Sequence, residues 1–68
     1  MKNSEFIKGV DILSKHIPED SIDGFSLCAV HDQIYFCDSK WVEEGSDDYL
    51  MLEELGWFID EESWSCFT

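Results

Sequence analysis

The chain has 68 residues, 16 of them Asp or Glu against 4 Lys and no Arg, a formal net charge of -12 and a pI near 4.1. A chain this short forms one domain with one small core, which excludes a multidomain enzyme and a deep cofactor cavity. Without clustered cations it is not built to hold DNA, RNA or anionic lipid directly, and ten aromatics argue against disorder.

Residues 4–17 read as an amphipathic helix, with Asn3 or Ser4 as its cap and Glu5 in the first turn. Phe6, Val10, Leu13 and Ile17 fall on one stripe, while Asp11 and Lys15 pair four residues apart on the far side. Pro18 ends it by pushing Ile17 out of helical geometry. Gly9 costs up to ~1 kcal/mol relative to Ala inside a helix, so its presence points to close packing on a sheet.

After a polar loop over 19–24, residues 25–30 and 33–38 read as a β-hairpin with His31-Asp32 as its loop. Val30 then opposes Gln33, Ala29 opposes Ile34 and Cys28 opposes Tyr35. Phe25, Leu27 and Ala29 share a face with Ile34 and Phe36, and that face is the expected core side. Ser26, Cys28, Val30, Gln33, Tyr35 and Cys37 take the other.

Residues 39–46 form a loop carrying Trp41, and Ser46 or Asp47 caps a second helix running to Leu55. Gly56 stands where a helix end wants a left-handed residue. Tyr49, Met51, Leu52 and Leu55 lie on the inward half of this helix; Asp47, Leu50, Glu53 and Glu54 lie on the outward half. Asp60-Glu61-Glu62 make a turn, and residues 63–68 a third strand. The expected fold is one α+β domain over 1–68, monomeric or dimeric, ordered helix, strand, strand, helix, strand, with a three-stranded antiparallel sheet. Phe6, Val10, Leu13, Leu27, Phe36, Leu52 and Leu55 are its expected core.

Charge is unevenly spread. Residues 1–40 hold seven acids and four lysines, while residues 41–68 hold nine acids and no base. Trp41, Tyr49, Trp57, Phe58 and Trp64 are set among those nine acids. Such a surface serves solubility, or it imitates a phosphate backbone, which carries about one charge per ~1.7 Å of duplex. The expected partner-binding residues are Trp41, Glu43, Glu44, Asp47, Leu50, Glu53, Glu54, Asp60, Glu61 and Glu62.

Other chemistry is poorly supported. Cys28, His31, Cys37 and Cys66 lack the two close ligand pairs of a structural zinc site, so no metal or cofactor is expected. A calcium loop counted from Glu19 would need Glu at its twelfth position, which is Val30. His16 and His31 are candidate bases, but no nucleophile elbow or phosphate-cradling loop accompanies them, and no enzyme is expected. Three cysteines and the absence of a secretory apolar run point to reduced thiols in a cytoplasm.

The amphipathic N-terminal helix, the hairpin segment from Gly24 to Phe36, the pattern from Leu52 to Phe58 and that from Glu61 to Phe67 together cover most of the chain. In these it resembles small acidic proteins of phages and mobile elements, of the anti-CRISPR, DNA-mimic type. The resemblance implies a non-enzymatic inhibitor in the bacterial host cytoplasm, docking on the basic DNA-binding surface of a CRISPR effector complex of type I and blocking DNA recognition. It supplies no residue-level motif. The other class considered is a small phage-type module that regulates a host transcription factor through its aromatic and acidic surface.

Sixteen acids facing four lysines repel one another near neutral pH, and salt screens that repulsion. The melting temperature should therefore rise between ~0.02 and ~0.15 M salt, a range over which the screening length falls about threefold. A fall on adding salt, read by circular dichroism, would contradict this.

Overall fold

The computed structural model describes residues 1–24 and 27–67. The fold is α+β, with two helices and an antiparallel sheet of four strands. Helix α1 is Asn3–Ser14 and helix α2 is Asp47–Glu54; the strands are β1 Cys28–Val30, β2 Gln33–Asp38, β3 Phe58–Asp60 and β4 Ser63–Phe67. Their order in the sheet is β1-β2-β4-β3, with every neighbouring pair antiparallel. Two short 3₁₀ turns, Glu19–Ser21 and Ser39–Trp41, join the larger elements. Among the described residues no helix is long and apolar enough to cross a membrane.

Helix α1 starts one residue earlier and ends sooner than its pattern predicts. Lys2 is the cap residue, and its backbone N–H donates to Glu5 Oε1 at 2.9 Å. At the other end, Lys15 and His16 N–H groups donate three residues back, to Ile12 and Leu13 carbonyls, which tightens the turn ahead of Pro18. Ile17 is nevertheless buried with Leu13, while Phe6 and Val10 pack at the core's edge. Ser46 caps α2, its Oγ accepting from the Tyr49 N–H, and Gly56 follows the helix at φ +96°. Tyr49, Leu52 and Leu55 form the packed stripe of α2. Met51 lies a hundred degrees to its side and is exposed, contrary to the expectation that it points inward.

The expected hairpin register holds through the described part of β1: Cys28, Ala29 and Val30 oppose Tyr35, Ile34 and Gln33. Phe25, Ser26 and Thr68, also assigned to strands by pattern, lie outside the described residues. Against β4 the register shifts between Tyr35 and Cys37, so that Phe36 is the extra residue of a bulge. The bulge rotates Cys37 out of the face predicted for it and into the core, opposite Trp64, while Phe36 also packs inward. Cys28 and Cys37 therefore do not share a face.

Leu27, expected in the core, is 63% exposed. The core draws on β2 and β4 but on no residue of the edge strand β1, so an apolar side chain beside β1 stays uncovered. The fourth strand is the other difference. Phe58–Asp60 was expected to lead into a turn, yet it pairs with β4 through a two-residue connection, Glu61-Glu62. β4 thus becomes a central strand.

The fully buried side chains are Leu13, Leu52, Trp57, Trp64, Cys66 and Ser65. Trp57 stacks on Phe6 at a centroid separation of 5.8 Å and meets Phe36 edge-on at 6.2 Å. Its indole lies directly on Gly9: a Cβ built there would overlap Nε1, Cε2 and Cδ1 of Trp57. The close approach inferred from Gly9 is therefore to this tryptophan. Gly9→Ala should cost ~1–3 kcal/mol by overpacking, although Ala is the better helix former by ~1 kcal/mol. Leu13→Ala and Leu52→Ala should cost ~2–5 kcal/mol each by leaving cavities. Urea melts of the three variants check both statements, and a neutral Gly9→Ala would refute the first.

Candidate functional site

Seven of the nine acids beyond residue 40 are exposed: Glu43, Glu44, Asp47, Glu53, Glu54, Glu61 and Glu62. The local structure explains why. The arc of α2 opposite Leu52 must face solvent, and a two-residue connection between antiparallel strands projects both its side chains. Among the described residues the ion pairs are Lys40 with Asp38 at 3.5 Å and His16 with Asp48 at 2.7 Å, so none of the seven is matched with a cation.

The predicted residues do not gather into one cleft. Glu43 and Glu44 line a hollow of about 350 Å³ with Ser39, Lys40, Val42, Tyr49 and Ile59, which joins the loop before α2 to the edge of the sheet. Glu54 lines a second hollow with Met1, Glu5, Leu55, Gly56 and Phe67. Leu50 is 52% exposed on the outer arc of α2, as expected. Trp41 is half-buried and packs against the core, so much of its indole is committed to the fold.

Asp60 and Asp48 are tied into the structure in ways the sequence did not signal. Asp60 Oδ2 accepts from Gln33 Nε2 at 2.8 Å and from the Tyr35 hydroxyl at 3.3 Å, bridging β3 to β2 across the sheet. Partial desolvation, then the charges of Asp60 and Glu61, push the Tyr35 hydroxyl above its ordinary pKa and keep it a neutral donor. Asp48, in the first turn of α2, lies against His16 Nε2, just beyond the end of α1. That hydrogen bond holds the Asp48 carboxyl below the ordinary carboxylate range. These contacts span 25 to 32 residues of chain, and no local pattern announces them.

The Glu61-Glu62 connection is itself unusual. Both residues have positive φ, 50° and 64°, the conformation of a type I′ turn that favours Asn-Gly. Two glutamates here carry a backbone cost of order 1 kcal/mol or more each.

Two of the three cysteines, Cys37 and Cys66, are packed in the core. Burial, then the nearby Asp38 charge, pushes the Cys37 thiol up to about 12, and burial raises Cys66 as well. Cys28 is exposed on the opposite face of the sheet. Among the described residues no group of three or more His, Cys, Asp and Glu is placed to hold a metal ion.

Compared with known proteins, the chain matches no family model, no curated protein and no solved structure.

Because its folded pKa is depressed, Asp48 contributes stability above its unfolded value of ~3.9 and loses it as pH falls through the lower folded value. The stability gap between the wild type and Asp48→Asn should close as pH falls below ~4, where the carboxylate takes up its proton. Relief of general repulsion acts on both proteins alike and cancels in the difference. A gap that persists undiminished below pH ~3 would show that the contact does not depress the Asp48 carboxyl.

Proposed function

We propose that the chain is a non-enzymatic acidic protein that binds a basic, nucleic-acid-binding surface of another protein and blocks it. The resemblance to anti-CRISPR proteins makes a DNA-binding subunit of a bacterial defence complex, of the type I CRISPR class, the partner to test first. The observation that carries this reading is the set of seven exposed carboxylates between Glu43 and Glu62 without a cation among them. Desolvating unmatched charge is costly, but meeting Arg or Lys on a partner offsets that cost with charge-assisted hydrogen bonds.

Size supports the same reading. Twelve phosphate charges of B-DNA occupy ~20 Å of duplex axis. The molecule measures 29 × 27 × 21 Å with a radius of gyration of 11.0 Å, so it presents a similar charge over a similar length. Charge of this sign repels nucleic acid and attracts what binds it. Association should be steered over long range, with rim charges acting on the rate of encounter.

Reversing Glu43, Glu44, Asp47 and Glu54 to Lys should abolish binding to a purified DNA-binding subunit while leaving circular dichroism unchanged, since all four side chains face solvent. Reversing Glu5 and Asp11 on α1, which carries Lys8 and is flanked by Lys2 and Lys15, should matter much less. Equal losses from the two sets would mean that the acidity serves solubility, and the proposal would fall.

A further inference from the structure

We infer that the open face of the sheet is a second docking surface for that partner, on the opposite side from the outward arc of α2, and that it takes a basic segment in which arginines stand beside aliphatic side chains. The inference rests on the reading of a basic partner and adds where it sits and what it must carry.

Trp64, Cys66, Cys37 and Phe36 face the helices. Strand alternation then sets the other face out in rows: Val30, Gln33 and Phe67; Cys28, Tyr35, Ser65 and Phe58; Asp38, Ser63 and Asp60. The contacts agree with this reading. Phe58 and Phe67 lie with ring centroids 4.9 Å apart, and Gln33 and Tyr35 both reach Asp60. Helices α1 and α2 both pack on the face opposite these rows. Val30 is 46% and Phe67 58% exposed, while Ser65, between Tyr35 and Phe58, is fully buried. The surface thus has an apolar half around Val30, Phe58 and Phe67. Its other half is acidic, made of Asp38 and Asp60 with the Glu61-Glu62 turn beside them.

Charge selects the occupant. None of the four strands carries a Lys, and the nearest lysine in sequence, Lys40, is paired with Asp38. A second copy of this chain would bring two such faces together at a net charge of -12 each. Nucleic acid and anionic lipid are repelled for the same reason. An arginine suits both halves, because its planar head stacks on Tyr35 or Phe58 and its fork meets the carboxylates of Asp38 or Asp60. A neighbouring aliphatic side chain covers Val30 and Phe67.

Two synthetic peptides of equal length and charge test this, one alternating Arg with Leu and the other Arg with Ser. The Arg-Leu peptide should bind roughly tenfold more tightly, the ratio expected from burying about one further apolar side chain. Cys28 supplies the footprint, because it lies on this face while Cys37 and Cys66 are buried. Its alkylation by N-ethylmaleimide should slow severalfold under saturating Arg-Leu peptide, and Val30→Ser with Phe67→Ser should remove the tenfold preference. Equal affinities, or tighter binding with Cys28 still reactive, overturn the sheet-face site and leave the charge-based reading standing. Binding of neither peptide at low salt overturns both.

Discussion

The contact between Gly9 and the Trp57 indole sets the distance between the two layers of this protein. Without a side chain at position 9, α1 comes down onto the ring itself. Phe6 then stacks beside it and Phe36 meets its edge from the sheet. Leu13, one helical turn further on, reaches full burial with Leu52 of α2. A domain of this size buries little surface, so large rings seated against backbone supply much of its apolar contact. The second tryptophan, Trp64, has a harder position. Tyr49 meets it edge-on at 5.1 Å, but its indole N–H is buried with no hydrogen-bond partner among the described residues. That cost is accepted at the centre of the sheet, where a smaller side chain would leave a void.

Where the sequence reads clearly, the determinants are local. The apolar spacing of α1, Ser46 before α2, Gly56 after it and the register of the first hairpin are each fixed by residues within a few positions of one another. The misreadings concern what a strand meets on its far side. Leu27 alternates correctly for a core residue, yet β1 is an edge, and only the full strand order reveals that. Cys37 changes face because pairing with β4 inserts a bulge in β2. The strand from Phe58 to Asp60 is hidden because it is short and its hairpin lacks the Asn or Gly that marks such turns. For the site, the excess of acid is plain in the composition. That Asp48 serves His16 and Asp60 serves Tyr35 depends on elements brought together only by folding.

The two faces of the sheet are unequally covered. The helices bury Trp64, Cys66 and Cys37 on one face. The other face is tied together by the Asp60 network and leaves Val30 and Phe67 exposed. Glu61 and Glu62, in the turn beside it, hold a left-handed backbone that glycine would adopt at no cost.

The strand order has a bearing on how the protein comes to exist. β4 lies between β2 and β3, yet it is the last of the four to be synthesised. Until it emerges, β1 and β2 form an isolated hairpin, marginal in water, and the inner surface of β2 lacks its neighbour. Helix α1 is equally early, and its tryptophan partner follows 48 positions later. The fold therefore cannot grow along the chain from its beginning. The sheet is complete only when β4 enters between β2 and β3.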